Sequence, residues 1–355
     1  MNLDEILNQF VIDTKIKEYG DGHINDTYLS ESQEYILQRI NTEIFKDPVK
    51  LMDNISAVTQ FLKERIIEAG GNAERETLTV INTRKGEKFF TAPDGRAFRV
   101  YRFIKKSKTI STVTDPKQMY YAAKGFGRFA KMLNDYPAAE LNETIPDFHN
   151  TPVRYEALKT AIREDRAGRA KLVQKEIEFA LAGEKYTDVV TKELACGNLP
   201  TRVTHNDTKI NNVLFDEVTG EPVCVIDLDT VMPGSLLYDF GDALRIGAAT
   251  AAEDERNLEN VWFDMQAFKN FAIGYFEEMG DAITQREIEL LPFSAKLLTY
   301  ECGLRFLTDY LNGDTYFKVH REGHNLDRAR TQFKLVSDIE NKEAEMQWII
   351  RDIKK

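Results

Sequence analysis

The chain has 355 residues, of which 42% are hydrophobic and 30% are charged, and its net charge is −11. This length exceeds the size at which one hydrophobic core usually stops growing, so we expect two lobes. The acidic balance argues against nucleic acid and anionic membranes as partners. An anionic ligand would therefore need backbone N–H groups, a metal ion or a few basic side chains to hold it.

The cysteines and the apolar runs bear on the compartment. Cys196, Cys224 and Cys302 are far apart and odd in number, so neither a disulfide framework nor a zinc site is expected. The first residues lack the pattern of a signal peptide, and no apolar run approaches the ~18 residues of a membrane span. We therefore expect a cytoplasmic protein.

The first hundred residues have the pattern of an antiparallel sheet with one helix. A helix is predicted from Pro48 to Ala69, because Asp47 can cap it and Gly70-Gly71 ends it. Five strands are predicted from alternating runs separated by polar turns. They are Thr27–Leu29, Tyr35–Ile40, Glu76–Asn82, Lys88–Thr91 and Ala97–Ile104.

From Asp115 onward the spacing of apolar residues becomes helical. Asp115 is a predicted helix cap, and further helical patterns occur at about 153–182, 257–279, 285–311 and 325–352. Between them lies a short strand-rich segment from Thr201 to Asp229. The predicted fold is α+β, with a small antiparallel-sheet lobe (1–104) and a larger, mainly helical lobe (105–355).

The strand-rich segment contains the most informative motif, His205-x-Asp207-x-x-x-x-Asn212, followed by a hairpin that ends at Asp227-Leu228-Asp229. Phosphoryl transfer requires such groups: a carboxylate to accept the proton of the attacking hydroxyl, and hard oxygen ligands for magnesium. Asp207 is the predicted base, and Asn212 and Asp227 are the predicted metal ligands. Asp229 is a second metal ligand or a supporting partner. An alternative explanation of the motif is that its polar residues only form turns and cap strands. Asp227 at the end of the hairpin makes this alternative weaker.

These stretches resemble the aminoglycoside phosphotransferase and choline kinase superfamily, whose members are relatives of protein kinases. Four segments are similar, more narrowly, to the N-acetylhexosamine 1-kinases: residues 20–28, 203–212, 225–234 and 238–242. The resemblance implies a protein-kinase-like two-lobed fold, in which the small lobe (1–104) binds nucleotide and the large lobe (105–355) carries catalysis and binds the acceptor. It also implies ATP and Mg²⁺ as cofactors, and phosphorylation of the anomeric hydroxyl of N-acetylglucosamine or N-acetylgalactosamine.

The nucleotide side has weaker signals. Gly20-x-Gly22-x-x-Asn25, followed by Thr27, precedes a strand, as a phosphate-binding loop does, although a surface turn explains it as well. The resemblance implies that a basic residue on the second strand contacts the phosphates, and Arg39 is the candidate; an exposed edge arginine is the alternative. Tyr101 and Phe103 are expected beside adenine or in the core. No glutamate partner for Arg39 is assigned on the following helix.

The acceptor should bind in the large lobe, near Asp207. Arg305, Asp309 and Tyr316 are candidates, and the resemblance implies that Arg305 and Tyr316, with His23 from the loop, contact a sugar. A structural ion pair is the alternative for Arg305. His205, Asp239 and Asp242 are predicted to support the catalytic loop.

Two other functions stay open. One is a kinase of another small alcohol, such as an aminoglycoside, choline or homoserine. The other is an inactive pseudokinase that serves as a binding module, against which the intact Asp207, Asn212 and Asp227 argue. A metal hydrolase is weaker still, because the sequence has no HExxH motif and no histidine cluster.

Overall fold

The structure is a computed structural model that describes residues 2–10, 12, 15–20 and 24–355. Two of the predicted site residues, Gly22 and His23, lie outside the described residues.

The small lobe is built on a six-stranded antiparallel sheet of order β1-β2-β3-β6-β4, in which β5 pairs with the free part of β6. Its strands are β1 (Ile16–Glu18), β2 (Asp26–Ser30), β3 (Tyr35–Ile40), β4 (Val80–Ile81), β5 (Phe90–Thr91) and β6 (Ala97–Arg102). The predicted five strands are all present, and β1 is added to them. The strand predicted from Glu76 is shorter than expected, because Ala73–Glu76 forms a short helix.

Two helices pack on opposite faces of this sheet. Helix α1 (Leu3–Leu7) covers the outer face, where Leu37, Phe98 and Val100 form a small core with it. Helix α2 (Pro48–Glu68) covers the inner face together with Ile40, Ala97 and Tyr101. Since neighbouring residues of a strand point to opposite faces, Gln38 and Arg99 face inward and Arg39 faces outward.

The large lobe is mainly helical, and in the described part of the chain no helix is long and apolar enough to cross a membrane. After the short helix α3 (Ala73–Glu76), its helices are α4 (Pro116–Met132), α5 (Thr151–Glu164), α6 (Gln174–Ala182), α7 (Glu184–Thr187), α8 (Val189–Ala195), α9 (Leu236–Gly247), α10 (Met265–Met279), α11 (Gln285–Asn312) and α12 (His324–Ile353).

The helical patterns were largely correct, and their errors have physical causes. The pattern at 153–182 is interrupted between α5 and α6, and the pattern at 257–279 begins only at Met265, where Asp264 accepts two backbone N–H groups. Helix α9 was not predicted. Its residues from Leu236 to Leu244 are all buried, and the two carboxylates among them, Asp239 and Asp242, bond to the backbone of the loop after β8 instead of facing solvent.

Five short strands bring the motif segments together. They are β7 (Ser107–Lys108), β8 (Arg202–Thr204), β9 (Val213–Asp216), β10 (Pro222–Val225) and β11 (Met232–Gly234). They form a β10-β9-β7 sheet and a β11-β8 pair. Strand β6 is thus the last strand of the six-stranded sheet along the chain, and β7 is the first strand of the smaller sheets. The lobe boundary at residue 104 stays a prediction.

A single buried amide fastens α2 to the large lobe. The Asn54 Nδ2 donates to the carbonyls of Asn142 at 2.8 Å and Val231 at 2.9 Å. Its Oδ1 accepts the backbone N–H of Asn142 at 2.8 Å. Val231 lies two residues after Asp229, so this amide connects α2 to the segment that carries the hairpin aspartates.

We predict that Asn54→Ala lowers the free energy of unfolding by about 1–3 kcal/mol, because it strands buried backbone groups of Asn142 and Val231. Urea unfolding measures the change. The control is Gln60→Ala on the exposed side of α2, whose amide contacts only Glu64, and it should stay within about 0.5 kcal/mol of the wild type. Equal stability of the two variants would remove Asn54 from this role.

Candidate active site

The loop that follows β8 is held by two carboxylates of α9. Asp239 accepts the backbone N–H groups of His205 at 2.8 Å and Asn206 at 2.7 Å, and Asp242 accepts that of Thr208 at 3.2 Å. Asn206 has a left-handed backbone with φ of 62°, which these bonds stabilise. The structure therefore brings both predicted supporting carboxylates to the catalytic loop.

Helix α9 can support the loop because it packs tightly on α11. A Cβ on Gly241 would lie 2.4 Å from the backbone oxygen of Ser294. Glycine between Phe240 and Asp242 thus permits the close approach that fixes both carboxylates.

His205 connects the loop to the strand before Asp227. Its Nδ1 accepts the backbone N–H of Asp207 at 3.2 Å, so the proton lies on Nε2, which donates to the Ile226 carbonyl at 2.9 Å. The ring thereby links the predicted base to the residue that precedes the predicted metal ligand.

The Asp207 carboxylate has two positive or polar neighbours on its own loop. Asn212 Nδ2 lies 3.1 Å from Asp207 Oδ2, and Lys209 Nζ lies 2.9 Å from the same oxygen. Burial lowers the pKa of Lys209, but Asp207, Asp227 and Asp242 outweigh it and raise the pKa overall. The sequence analysis missed Lys209, although a basic residue two positions after the predicted base was visible.

Asp227 is the carboxylate without a partner. It has a left-handed backbone with φ of 60°, and burial, followed by the nearby Asp229 and Asp207, raises its pKa to about 6. Neither its carboxylate nor Asn212 Oδ1 has a hydrogen-bond donor among the described residues. A crowded carboxylate beside a free amide oxygen is a suitable place for a hard cation.

The oxygens of Asp227 and Asn212 suit magnesium better than they suit a metal whose ligands all come from the protein. Within the described ranges no three His, Cys, Asp or Glu side chains converge on one metal position. Magnesium usually keeps waters and phosphate oxygens beside one or two carboxylates, so Asn212 and Asp227 are sufficient protein ligands.

Asp229 is occupied by other side chains. Its Oδ1 forms an ion pair with Arg99, and its Oδ2 accepts Asn25 Nδ2 at 2.7 Å. The other end of that amide, Asn25 Oδ1, accepts the backbone N–H of Asn41 at 3.0 Å. The structure therefore presents neither Asp229 nor Asn25 as a free ligand for metal or nucleotide.

Arg39 is not brought to this cluster. It lies on the outer face of the sheet, is 45% exposed and pairs with Asp26 at 2.9 Å. The sequence correctly placed Leu37 and Arg39 on one face, but alternation alone does not show which face is inside. The inward-facing basic residue is Arg99, on β6. A charged residue in the middle of an apolar strand was its sequence signal.

The other predicted nucleotide residues lie along the same lobe. Thr27 Oγ1 accepts from Gln38 at 3.1 Å, and Tyr101 lies buried under the Arg99 guanidinium. Phe103 meets Tyr19 edge to face at 5.9 Å, and Gly20, with φ of 77°, follows Tyr19. Their contacts with nucleotide stay predictions.

Arg305 lies among aromatic rings without a carboxylate partner. Its guanidinium carbon is 5.7 Å, 5.9 Å and 5.4 Å from the ring centres of Phe148, Tyr316 and Phe317. It forms no hydrogen bond or ion pair with any residue that the structure describes. The structural ion pair considered for Arg305 is therefore not seen, and Tyr316, which is 66% exposed, lies at the rim.

A second guanidinium, missed in the sequence, lies close to the first. Arg154 Nη2 donates to the Phe148 carbonyl at 3.1 Å, and burial, followed by the charge of Arg305, lowers its pKa. The nearest acid, Glu301, is already engaged by His149 Nδ1 at 2.8 Å and Thr151 Oγ1 at 2.5 Å. Its pKa is lowered because His149, Thr151 and Arg305 outweigh the effect of burial.

These arginines lie near the predicted catalytic loop, to which a row of rings connects them. Phe148 meets His149 edge to face at 4.7 Å, and the His149 ring lies 5.0 Å from that of Tyr238, the neighbour of Asp239. We call the cluster of the two arginines and their rings the arginine pocket: Phe148, Arg154, Arg305, Tyr316 and Phe317.

Asp309 holds the turn that carries Tyr316 and Phe317 of the arginine pocket. It accepts the backbone N–H groups of Thr315 at 2.9 Å, Tyr316 at 2.8 Å and Phe317 at 2.9 Å. A fourth donor, Asn325 Nδ2, lies at 2.9 Å. The earlier suggestion of an acceptor contact is thus replaced by a support for the turn that carries two of the rings.

We predict that Asp309→Ala raises the KM for the acceptor about 10-fold, because the Tyr316–Phe317 turn loses its backbone bonds, while the KM for ATP changes little. Steady-state kinetics with each substrate varied measures this. The surface variant Asp352→Ala is the control. Parallel rises in both KM values would show a general loss of fold instead.

The comparisons with known proteins agree with this architecture. The chain is similar over 97% of both lengths to a microcompartment-associated aminopropanol kinase, at 13% identity and a TM-score of 0.66. It is similar to an aminoglycoside phosphotransferase from Alicyclobacillus acidocaldarius over 99% of this chain and 97% of that one, at 12% identity and 0.60. It is also similar to a choline kinase from Cryptosporidium parvum over 97% of this chain and 96% of that one, at 13% identity and a TM-score of 0.57.

The fold is thus that of the protein-kinase-like small-molecule phosphotransferases. The phosphotransferase enzyme family matches residues 15–271, which include the catalytic loop, Asp227 and α9, and the chain belongs to this family.

Proposed function

We propose that this phosphotransferase uses ATP and Mg²⁺ to phosphorylate the anomeric hydroxyl of an N-acetylhexosamine, in the cytoplasm. The observation that carries the choice of acceptor is the arginine pocket, whose two guanidinium groups form no ion pair with any carboxylate in the described part of the chain. The resemblance of four sequence segments to N-acetylhexosamine 1-kinases supports the same choice.

The charge of the pocket favours a neutral acceptor over an amine. Arg305 lacks a carboxylate partner among the described residues, and Glu301 is engaged by His149 and Thr151. A cationic group placed here would meet like charge, which costs several kcal/mol when water is excluded. Hydroxyl and amide oxygens, by contrast, accept hydrogen bonds from guanidinium groups, and aromatic rings pack on the C–H face of a sugar.

The loop supplies the groups that the chemistry needs. Asp207 accepts the acceptor's proton as its oxygen bonds to the transferred phosphorus, and the bond between that phosphorus and the leaving oxygen of ADP breaks. Lys209, beside Asp207, adds positive charge where the phosphoryl group passes. Asn212 and Asp227 would hold Mg²⁺, which would supply positive charge against the phosphates.

The decisive test compares N-acetylglucosamine with glucosamine, which have the same ring and differ in charge. At about pH 6.5, where such an amine is protonated, we expect kcat/KM for the N-acetyl sugar to exceed that for the amine about 100-fold or more. ADP release and identification of the sugar 1-phosphate are the readouts.

Asp207→Asn is the matched inactive variant, and it should bind ADP normally but show no turnover. Equal turnover of the two sugars would contradict the argument from charge. If only choline, homoserine or an aminoglycoside is phosphorylated, the proposed phosphoryl transfer stands and the proposed sugar acceptor is wrong. Nucleotide binding without turnover of any acceptor would favour the pseudokinase.

We predict further that Arg305→Met raises the KM for the N-acetyl sugar about 10- to 100-fold, because buried polar groups of the sugar lose their donor. The discrimination against glucosamine should shrink in the same variant. Arg330→Met is the control, since Arg330 pairs with Glu176 on α6 and is 40% exposed. An unchanged sugar KM in Arg305→Met would exclude Arg305 from acceptor binding.

A further inference from the structure

The most deeply buried ion pair of the described chain lies between the lobes. Arg99 of β6 and Asp229 of the metal-ligand segment pair with side chains only 1% and 4% exposed. Arg99 Nε also donates to Gln38 Oε1 at 3.0 Å on the neighbouring strand. Arg99 is therefore fixed to the sheet at one end and to Asp229 at the other.

A third residue joins the pair to the nucleotide loop. Asn25 lies five residues after Gly20, and its amide bridges Asp229 Oδ2 at 2.7 Å and the Asn41 backbone N–H at 3.0 Å. We call Arg99, Asn25 and Asp229 the interlobe latch. It connects the end of the glycine loop, the floor of the sheet and the segment that carries Asp227.

Stability alone does not account for the latch. Burying an ion pair costs several kcal/mol per ion, and well-packed apolar residues at such positions are often equally stable. The latch instead fixes the relative positions of three segments: the end of the glycine loop, the sheet and the segment that carries Asp227. No other buried ion pair of the described chain connects these three. Two of those segments, the glycine loop and Asp227, are the ones expected to hold Mg-ATP.

We propose that Asp229 is not a metal ligand but the centre of this latch, and that Arg99 and Asn25 position Asp227 and the glycine loop for the nucleotide through it. All three are positioning residues. The inference rests on the proposed use of Mg-ATP and is independent of the acceptor, so it does not depend on the sugar assignment.

A double-mutant cycle separates a latch from a metal ligand. The variants are Asp229→Asn, Arg99→Gln and their combination, and the readouts are Mg·ADP affinity by calorimetry and thermal unfolding. If the latch positions Asp227, each single variant should weaken Mg·ADP binding about 10- to 100-fold, the range seen when groups that orient a metal ligand are removed. The double variant should bind no more weakly than the worse single one, because both changes break the same contact.

Lys296→Met is the matched control for the loss of a buried ion pair. Lys296 of α11 pairs with Glu343 of α12 at 2.5 Å, in the large lobe, and its side chain is buried. This variant should lower the melting temperature without changing Mg·ADP affinity. It therefore shows how much of any binding change is due to destabilisation alone.

Two results would overturn the proposal. If Arg99→Gln binds Mg·ADP as well as the wild type while Asp229→Asn does not, then Asp229 acts on the metal itself. If both singles lose only melting temperature, as Lys296→Met does, then the latch is purely structural.

Asn25→Ala covers the case in which a charged variant does not fold, because it removes one arm of the latch without leaving a buried charge unpaired. It should weaken Mg·ADP binding about 10-fold, and unchanged affinity would also overturn the proposal. A wild-type chain that does not bind Mg·ADP would instead refute the proposed function.

Discussion

Five aspartates share the region between the lobes, and the need to compensate each negative charge constrains the residues around it. Backbone N–H groups satisfy Asp239, Arg245 pairs with Asp242 at 2.9 Å, Lys209 pairs with Asp207, and Arg99 pairs with Asp229. Among the described residues, Asp227 alone of the five has no such partner, and burial, followed by the nearby Asp229 and Asp207, raises its pKa. Burial also raises the pKa of Asp239, whose carboxylate is held by backbone N–H groups and has no cationic partner. Asp227 is therefore the carboxylate of this group whose oxygens the protein leaves open, and under the proposed function a cation there would offset its charge.

In the arginine pocket the charges that lie close together are positive instead of negative. Arg154 and Arg305 are near enough for the charge of one to lower the pKa of the other, and Glu301 is engaged elsewhere. Two guanidinium groups that form no ion pair with the described residues thus lie close together inside a chain whose net charge is −11. The overall charge, which permits an amine acceptor, is therefore a poor guide to this site, and the local arrangement discriminates better.

The sequence predicts what local spacing determines and misses what depends on long-range packing. The distance from Asp207 to Asn212 and the hairpin to Asp227 are short-range, so the cluster could be expected from the motif. The helix caps at Asp47 and Asp115 are local as well, and both are present. By contrast, the inward face of β3 depends on which side α2 and α1 cover, so Arg39 was chosen where Arg99 lies. The supporting role of Asp309 depends on a turn six to eight residues away. Helix α9, which was not predicted, is held by carboxylate contacts to a loop 33 or 34 residues earlier in the chain.

The contacts of Asp207 also divide its carboxylate between two tasks. Lys209 and Asn212 both contact Oδ2, while Oδ1 has no partner among the described residues. One oxygen therefore fixes the orientation of the group, and the other is available for the proton of an acceptor hydroxyl. Under the proposed function, the acceptor is an anomeric hydroxyl, which is more acidic than an ordinary alcohol, and little proton transfer precedes phosphoryl transfer in a loose transition state. Both features reduce the demand on the base. Lys209 contacts the orienting oxygen, so the contact that fixes the carboxylate also places a positive charge beside the proposed base.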